Sequence, residues 1–74
     1  MQRDETKRLM ILVDHWIRHN RDHTSEYLRV AERLESEGLA EIATRIRKAS
    51  EIVLRANERL SAAKDTLAQY QKGV

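Results

Sequence analysis

The stretch LESEGLAE, residues 34–41, decides how this chain folds. Glycine is the residue that most readily takes the left-handed conformation after the last turn of a helix. If Gly38 takes that place, Leu34 and Leu39 hold the two positions whose side chains touch in a Schellman stop. Glu41 then lies in the first turn of a second helix, where its charge suits the helix dipole. The alternative is one continuous helix with an interior glycine, which costs about 1 kcal/mol, and we favour the turn.

Apolar residues recur at spacings of three and four on both sides of this turn, as in amphipathic helices. In the first half the main stripe contains Leu9, Leu12, Val13, Trp16, Asn20, His23, Tyr27, Val30, Ala31 and Leu34. A second stripe beside it contains Met10, Ile17, Thr24 and Leu28. The second half repeats the pattern with Leu39, Ile42, Ile46, Ala49, Val53, Ala56, Leu60, Ala63 and Leu67, widened by Ile52 and Tyr70.

These stripes predict an all-α protein, an antiparallel two-helix hairpin that forms a single domain over residues 1–74. Helix one is expected at about 4–36, the turn at 37–39 and helix two at about 40–71. A connection this short makes the two helices antiparallel neighbours. With the turn at Gly38, positions whose numbers sum to about 76 are expected opposite each other, so that Asn20 faces Ala56 and Asn57. Asn20 and Asn57 are candidates for a buried polar pair that fixes the register.

The hairpin is expected to dimerise into a four-helix bundle. Two helices bury one seam only, and so small a chain rarely stabilises itself in that way. The second apolar stripes need cover, and a homodimer supplies it. The residues expected at these interfaces are Trp16, Ile17, Asn20, Tyr27, Leu28, Ile52 and Asn57.

Composition excludes several classes of protein. The chain has no Cys, so a disulfide framework and a thiolate metal site are excluded. Its longest uncharged apolar run, residues 9–13, is far shorter than the roughly 20 residues that span a bilayer, and no signal-peptide cleavage site follows it. We therefore expect a soluble, cytoplasmic protein without membrane contact. The chain lacks a glycine-rich phosphate loop and a nucleophile turn, so no enzymatic activity is predicted.

The charge pattern does not favour nucleic acid as a partner. The formal net charge is +2, and the signs are interleaved along the chain. Residues 39–74 hold seven Lys or Arg against four Asp or Glu, a mild excess that is compatible with an acidic protein partner. Acidic residues stand four positions before basic ones in Glu41–Arg45 and Glu51–Arg55, a spacing typical of a solvated, ion-paired helix face.

The stretch HWIRHNRDH, residues 15–23, contains the three histidines of the chain, spaced four apart. On a helix, Cβ atoms four residues apart are about 6 Å from each other, close enough for two imidazoles to share one ion. His15 and His23 are about 12 Å apart along the axis, so all three cannot bind one ion from a straight helix.

The pair His15/His19 or, better, His19/His23 is therefore predicted to bind a divalent transition metal. Asp22 and Glu26 lie on the same flank as a further ligand or an outer-shell partner. Such donors suit zinc, nickel or cobalt, and the missing ligands would come from water, the other helix or the dimer mate. The alternative is a purely structural or protein–protein interaction module in which the His and Asn residues tune helix pairing. Clustered histidines also permit a response to pH.

The segments HWIRHNRDHTSEYLRVA and ASEIVLRANERL resemble a small helical family of unknown function with an HWxxHNxxH signature. Members are associated with proteins similar to the nickel accessory protein of carbon monoxide dehydrogenase. The resemblance implies a helical hairpin, nickel binding and a protein partner in metal handling. The matching positions are His15, Trp16, His19, Asn20, His23, Tyr27, Gly38, Glu51, Ala56, Asn57 and Glu58.

The sequence departs from this family pattern in two ways. Arg18 and Arg21 stand where the pattern has acidic residues, which makes the local field less attractive to a cation. These 74 residues also carry no fused nickel-protein domain. The resemblance therefore supports the hairpin more strongly than it supports nickel chemistry.

Overall fold

Two long helices lie side by side in the computed structural model, which describes residues 3–72. Helix α1 spans Arg3–Ser36 and helix α2 spans Ala40–Lys72. They pack against each other along a rod whose principal dimensions are 56 × 14 × 11 Å. The all-α antiparallel hairpin is thus confirmed, and each helix begins and ends within one residue of the expected range. Across residues 3–72, neither helix has an apolar segment long enough to cross a membrane.

The turn has the hydrogen bonds of a Schellman motif. The Leu39 amide donates to the Leu34 carbonyl at 2.9 Å, and the Gly38 amide donates to the Glu35 carbonyl at 3.0 Å. Gly38 has φ = 83°, in the left-handed region where a side chain is unfavourable. The new helix follows at once, because the Ala43 amide donates to the Leu39 carbonyl at 3.1 Å. The predicted glycine stop is confirmed.

One buried polar contact fixes the alignment of the two helices. Asn20 Nδ2 donates to Asn57 Oδ1 at 2.9 Å, and Asn57 Nδ2 donates to the Ile17 carbonyl at 3.1 Å. Asn57 is only 7% exposed, so these bonds replace the water that its amide loses on folding. The predicted Asn pair is confirmed. It places opposite each other residues whose numbers sum to about 77.

The seam between the helices follows a seven-residue repeat. The inward positions of α1 alternate at spacings of four and three and are Thr6, Met10, Val13, Ile17, Asn20, Thr24, Tyr27, Ala31 and Leu34. Those of α2 are Ala43, Ile46, Ser50, Val53, Asn57, Leu60, Lys64 and Leu67. This is the 3.5-residue period of a coiled coil.

Large and small residues lie opposite each other in this seam. The register sets Leu34 against Ala43 and Tyr27 against Ser50, so a large side chain faces a small one at both places. The Ser50 hydroxyl donates to the Arg47 carbonyl at 2.7 Å, and the Thr24 hydroxyl donates to the Asn20 carbonyl at 2.9 Å. Buried hydroxyls in the seam are thereby satisfied within their own helices.

This seam corrects the placement of two residues. Trp16 was expected in the seam, but it lies beside the seam and is 44% exposed. Ile17 was expected on a second stripe that needs cover, but it is 5% exposed and lies inside the hairpin, out of reach of a second chain. The cause is the period: at 3.6 residues per turn a stripe drifts by about 20° per heptad from a 3.5-residue seam. Over four heptads, this drift moves the predicted inward positions to neighbouring residues.

Replacing Gly38 with Ala tests the turn. No atom lies within 4 Å of a Cβ placed there, so the cost is backbone strain alone. We expect the free energy of unfolding to fall by about 1 kcal/mol. Gly38→Asn should lose less, because Asn tolerates the left-handed conformation better than Ala does. Urea denaturation at one fixed protein concentration measures both, and an unchanged midpoint for Gly38→Ala would contradict the assignment.

Replacing Asn57 with Ala tests the buried amide pair. The substitution leaves the Asn20 amide without its partner and removes the bond that the Ile17 carbonyl accepts in addition to its helical one, and we expect a loss of about 1–3 kcal/mol. Asn20→Ala is the matched control, since Asn57 then keeps its bond to Ile17, and its loss should be smaller. Equal losses for the two variants in urea denaturation would show that the bond to Ile17 contributes nothing.

Candidate metal site and its surrounding surface

The two sides of the seam differ sharply in chemistry. On one side the helices are joined by ion pairs: Lys64 Nζ lies 2.8 Å from Asp14 Oδ1, and Arg47 pairs with Glu35. We call this the ion-paired face. The flanking positions on the opposite side form the apolar face, which consists of Leu9, Leu12, Trp16, Val30, Ile42, Ala49, Ile52, Ala56, Ala63 and Tyr70. Arg45 and Arg59, seven residues before and after Ile52, border this face. Its large side chains are uncovered, with Ile52 at 65% and Tyr70 at 66% exposure.

Leu28 lies on the ion-paired face and not on the apolar face, and its place in an interface stays a prediction. It stands seven residues before Glu35 and fourteen after Asp14, so the heptad repeat places it on the ion-paired face. Leu54 stands seven residues after Arg47 and lies on the same side. These two leucines are 43% and 46% exposed. Of the expected interface residues, Trp16 and Ile52 share the apolar face, whereas Asn20, Tyr27 and Asn57 lie in the seam.

His19 and His23 form a close pair on the apolar side of α1. Their Nε2 atoms are 2.9 Å apart, and their rings meet edge to face with centroids separated by 4.3 Å. One Nε2 carries the hydrogen and the other accepts it, so the two rings hold complementary tautomers. The His23 ring also stacks on Tyr27, with centroids 6.1 Å apart. The seam residue Tyr27 thereby supports the ring of a candidate ligand.

The other predicted ligands lie at different distances from this pair. Glu26 Oε2 is 3.7 Å from Nδ1 of His23, on the ring edge that faces away from His19. His15 stacks beside His19 at a centroid distance of 6.1 Å. Asp22 is exposed on the outward side of α1. Within residues 3–72, no three His, Cys, Asp or Glu side chains converge in a way that could hold a metal ion.

The two Nε2 atoms of the His pair are nearly as far apart as two ligands of a tetrahedral ion. Zn–N bonds of about 2.0–2.1 Å at a tetrahedral angle separate two ligand nitrogens by roughly 3.4 Å. The Nε2 atoms of His19 and His23 therefore need to part by only about 0.5 Å. Histidine ligands commonly donate their second N–H to a carboxylate, which fixes the tautomer. Glu26 Oε2 lies 3.7 Å from Nδ1 of His23, beyond hydrogen-bond distance, so it is near this nitrogen without accepting its hydrogen in this structure.

Arg18 and Arg21 lie away from the His pair. Both act electrostatically on Asp14, and Arg21 falls seven residues after it on the ion-paired face. The charges of these two arginines lie on a different side of α1 from the His pair. They therefore repel a cation at the histidines less strongly than the sequence alone suggests.

The fold and site define a helical hairpin with a paired-imidazole flank. Residues 9–67 match the family model described as Domain of unknown function (DUF8180), and the chain belongs to that family. The match includes the histidines, the glycine turn and Asn57. Searches of curated proteins and of solved structures gave no match.

Sequence reasoning missed the bond between Asp14 and Lys64. The spacing of Lys64 could have indicated this bond. Lys64 follows Asn57 by seven residues and therefore holds a seam position, where an apolar residue is usual. The hydrogen bond from Lys64, and then its charge, hold the pKa of Asp14 below its usual value of 3.8. This contact ties the two helices together on the ion-paired face.

Replacing Lys64 with Met should raise the pKa of Asp14 toward its ordinary value. Because the folded-state pKa is lowered, the pair contributes stability above the unfolded pKa and loses it as the pH falls through the folded pKa. Carboxyl NMR titration of Asp14 measures the shift. Lys48→Met, which removes a lysine from the outward side of the same helix, is the control and should leave Asp14 unchanged. An identical Asp14 titration in the Lys64 variant would refute the assignment.

Proposed function

We propose that this chain is a non-enzymatic helical binding module that self-associates through its apolar face and binds a divalent transition metal through His19 and His23. The single observation that carries the proposal is the 2.9 Å separation of the two Nε2 atoms. Two imidazole nitrogens this close can bind one ion together once they give up the hydrogen that they share and the rings rotate slightly. The i, i+4 spacing on a well-formed helix keeps them there without a loop to order.

The surroundings of the pair support metal binding. Glu26 lies near Nδ1 of His23, at 3.7 Å, and Tyr27 stacks on the same ring. Neutral imidazole nitrogens favour nickel, cobalt and zinc over magnesium or calcium. When bound, the ion would serve as a structural or transported group, since the site lies on an open helix surface. A protein partner in metal handling, which the family resemblance implies, fits such an exposed site.

The exposed apolar side chains support self-association. Leu12, Trp16, Val30, Ile42, Ile52 and Tyr70 are each more than 40% exposed and share one side of the rod. The long side of the hairpin, 56 by 14 Å, has a footprint of roughly 800 Å², about what each partner contributes to a stable interface. Contiguous apolar patches larger than a few hundred Å² mark interaction sites.

The second candidate is an interaction module without metal, in which the histidines tune helix pairing. The hydrogen bond between His19 and His23 favours it, because each ring already satisfies the other. A His at the edge of an interface has an ordinary structural role. The two candidates differ in one measurable property, the affinity for metal at this pair.

Isothermal titration of metal-free protein with zinc, cobalt and nickel tests the proposal. We expect a dissociation constant below roughly 100 μM, which corresponds to about 5.5 kcal/mol. Replacing either His19 or His23 with Ala should weaken binding at least tenfold, about 1.4 kcal/mol, because one of two protein ligands is lost. The cobalt complex should also show the visible absorption of a nitrogen-ligated ion, and both variants should lose it.

His15→Ala is the matched control for this titration. It removes an imidazole of the same helix that stacks on His19 from 6.1 Å but faces outward. Its affinity for metal should stay within about twofold of the parent, less than 0.5 kcal/mol. Binding weaker than the stated limit, or equal affinity in the His19 and His23 variants, favours the module without metal.

A further inference from the structure

We propose that the ion-paired face holds a second binding site, a groove that docks one amphipathic helix of another protein. The basic flank of that helix lies along α2 and its acidic flank along α1. The groove is on the side of the rod away from the histidines and the apolar face. This inference therefore goes beyond the proposed function and does not depend on it.

The first observation is a gap between two ion pairs. Asp14 and Lys64 join the helices toward one end of the ion-paired face, and Glu35 and Arg47 join them at the other. Asp14 and Glu35 are three heptads apart, roughly 31 Å along α1. Within residues 3–72, no further ion pair crosses the seam in this interval. The middle of this face is therefore open.

Two leucines form the apolar centre of the gap. Leu28 stands one heptad before Glu35 and Leu54 one heptad after Arg47, so they lie across the seam from each other as that ion pair does. Both are almost half exposed. A groove of about 540 Å³ extends from this centre, and its lining includes Arg21, Leu54, Asn57, Glu58, Ser61 and Asp65. Apolar side chains set in a groove are what a docked amphipathic helix uses as its anchor point.

The two sides of the groove carry opposite charge. On α2, Glu51, Glu58 and Asp65 repeat at seven-residue spacing and form one acidic line. On α1, Arg18 and Arg21 both act electrostatically on the nearby Asp14. None of these three acids and two arginines takes part in an ion pair within the described residues. A helix with lysine or arginine on one flank and glutamate or aspartate on the other can pair with both sides at once.

The charges also decide which kind of partner fits. The acidic line of α2 repels the phosphates of a nucleic acid and of an anionic membrane surface. A second copy of this chain would bring only its own two leucines to this face, whereas a single helix can present an apolar stripe along the whole groove. The occupant is therefore a helix of another protein.

A synthetic helix tests the site on the whole chain. The probe is about 21 residues long, with leucine once per heptad, lysine on one flank, glutamate on the other and alanine elsewhere. It should shift the methyl NMR signals of Leu28 and Leu54 with a dissociation constant below roughly 100 μM, and leave those of Leu12 and Val30 on the apolar face unchanged. Larger shifts at Leu12 and Val30 than at the other two, or no saturation by about 1 mM probe, overturn the inference.

Charge reversal tests the acidic line. Glu58→Lys should weaken binding of the probe at least about tenfold, because the lysines of the probe then meet a like charge. Asp22→Lys is the matched control: it makes the same change of charge on the outward side of α1, and its affinity for the probe should stay within about twofold of the parent. Equal affinities of the two variants would show that charge does not select the occupant, against the inference.

Sedimentation equilibrium distinguishes another protein from a second copy as the occupant. The Leu28→Ser/Leu54→Ser variant should lose probe binding and keep the self-association of the parent, with its helicity checked by circular dichroism. Leu12→Ser, on the apolar face, should still bind the probe. Weaker self-association in the Leu28/Leu54 variant identifies a second copy as the occupant and overturns the inference. So do shifts of the Leu28 and Leu54 signals when a DNA duplex or vesicles containing phosphatidylserine replace the probe.

Discussion

The buried contact between Asn20 and Asn57 is the constraint on which the rest of the molecule depends. Two amphipathic helices of nearly equal length can slide past each other by a heptad and still match apolar residues. A shift would bury the Asn57 amide against a hydrocarbon side chain without its two partners, at a cost of about 1–3 kcal/mol. The register in turn sets which residues lie at the same height on the rod. The facing of Leu34 with Ala43 and of Tyr27 with Ser50 therefore follows from this one amide pair.

The hairpin itself could be predicted from the sequence, whereas the rotation of each helix could not. Gly38 and its neighbours are local signals, and the Schellman bonds depend on a few adjacent residues. The residues that form the seam depend on the period at which inward positions repeat along each helix. A helical wheel at 3.6 residues per turn assigned too many positions to the seam. The small residues Ala31, Ala43 and Ser50 carry the closest packing but give a weak hydrophobic signal. For that reason the sequence pattern predicted Trp16, a large apolar residue, on the inward side of α1.

The candidate site shows the same division between local and long-range information. The closeness of His19 and His23 follows from helix spacing alone and was predictable. The positions of Glu26 and Tyr27 on two sides of His23 depend on rotamers, which sequence spacing does not determine. His15 and Asp22 share the helix flank in projection but stand on its outward part. His15 and Asp22 can be distinguished from the His19/His23 pair only when the side of α1 that faces the second helix is known.

Small seam residues also link stability to the proposed site. Thr24, Ser50 and Ala31 permit close helix approach but bury little apolar area, and no large side chain among the described residues is fully buried. Trp16, Ile52 and Tyr70 stay exposed in the single hairpin, so covering them by the proposed self-association would add to its stability. The proposed metal binding at His19 and His23 would be linked to folding as well, because an unfolded chain does not keep two imidazoles at helical spacing.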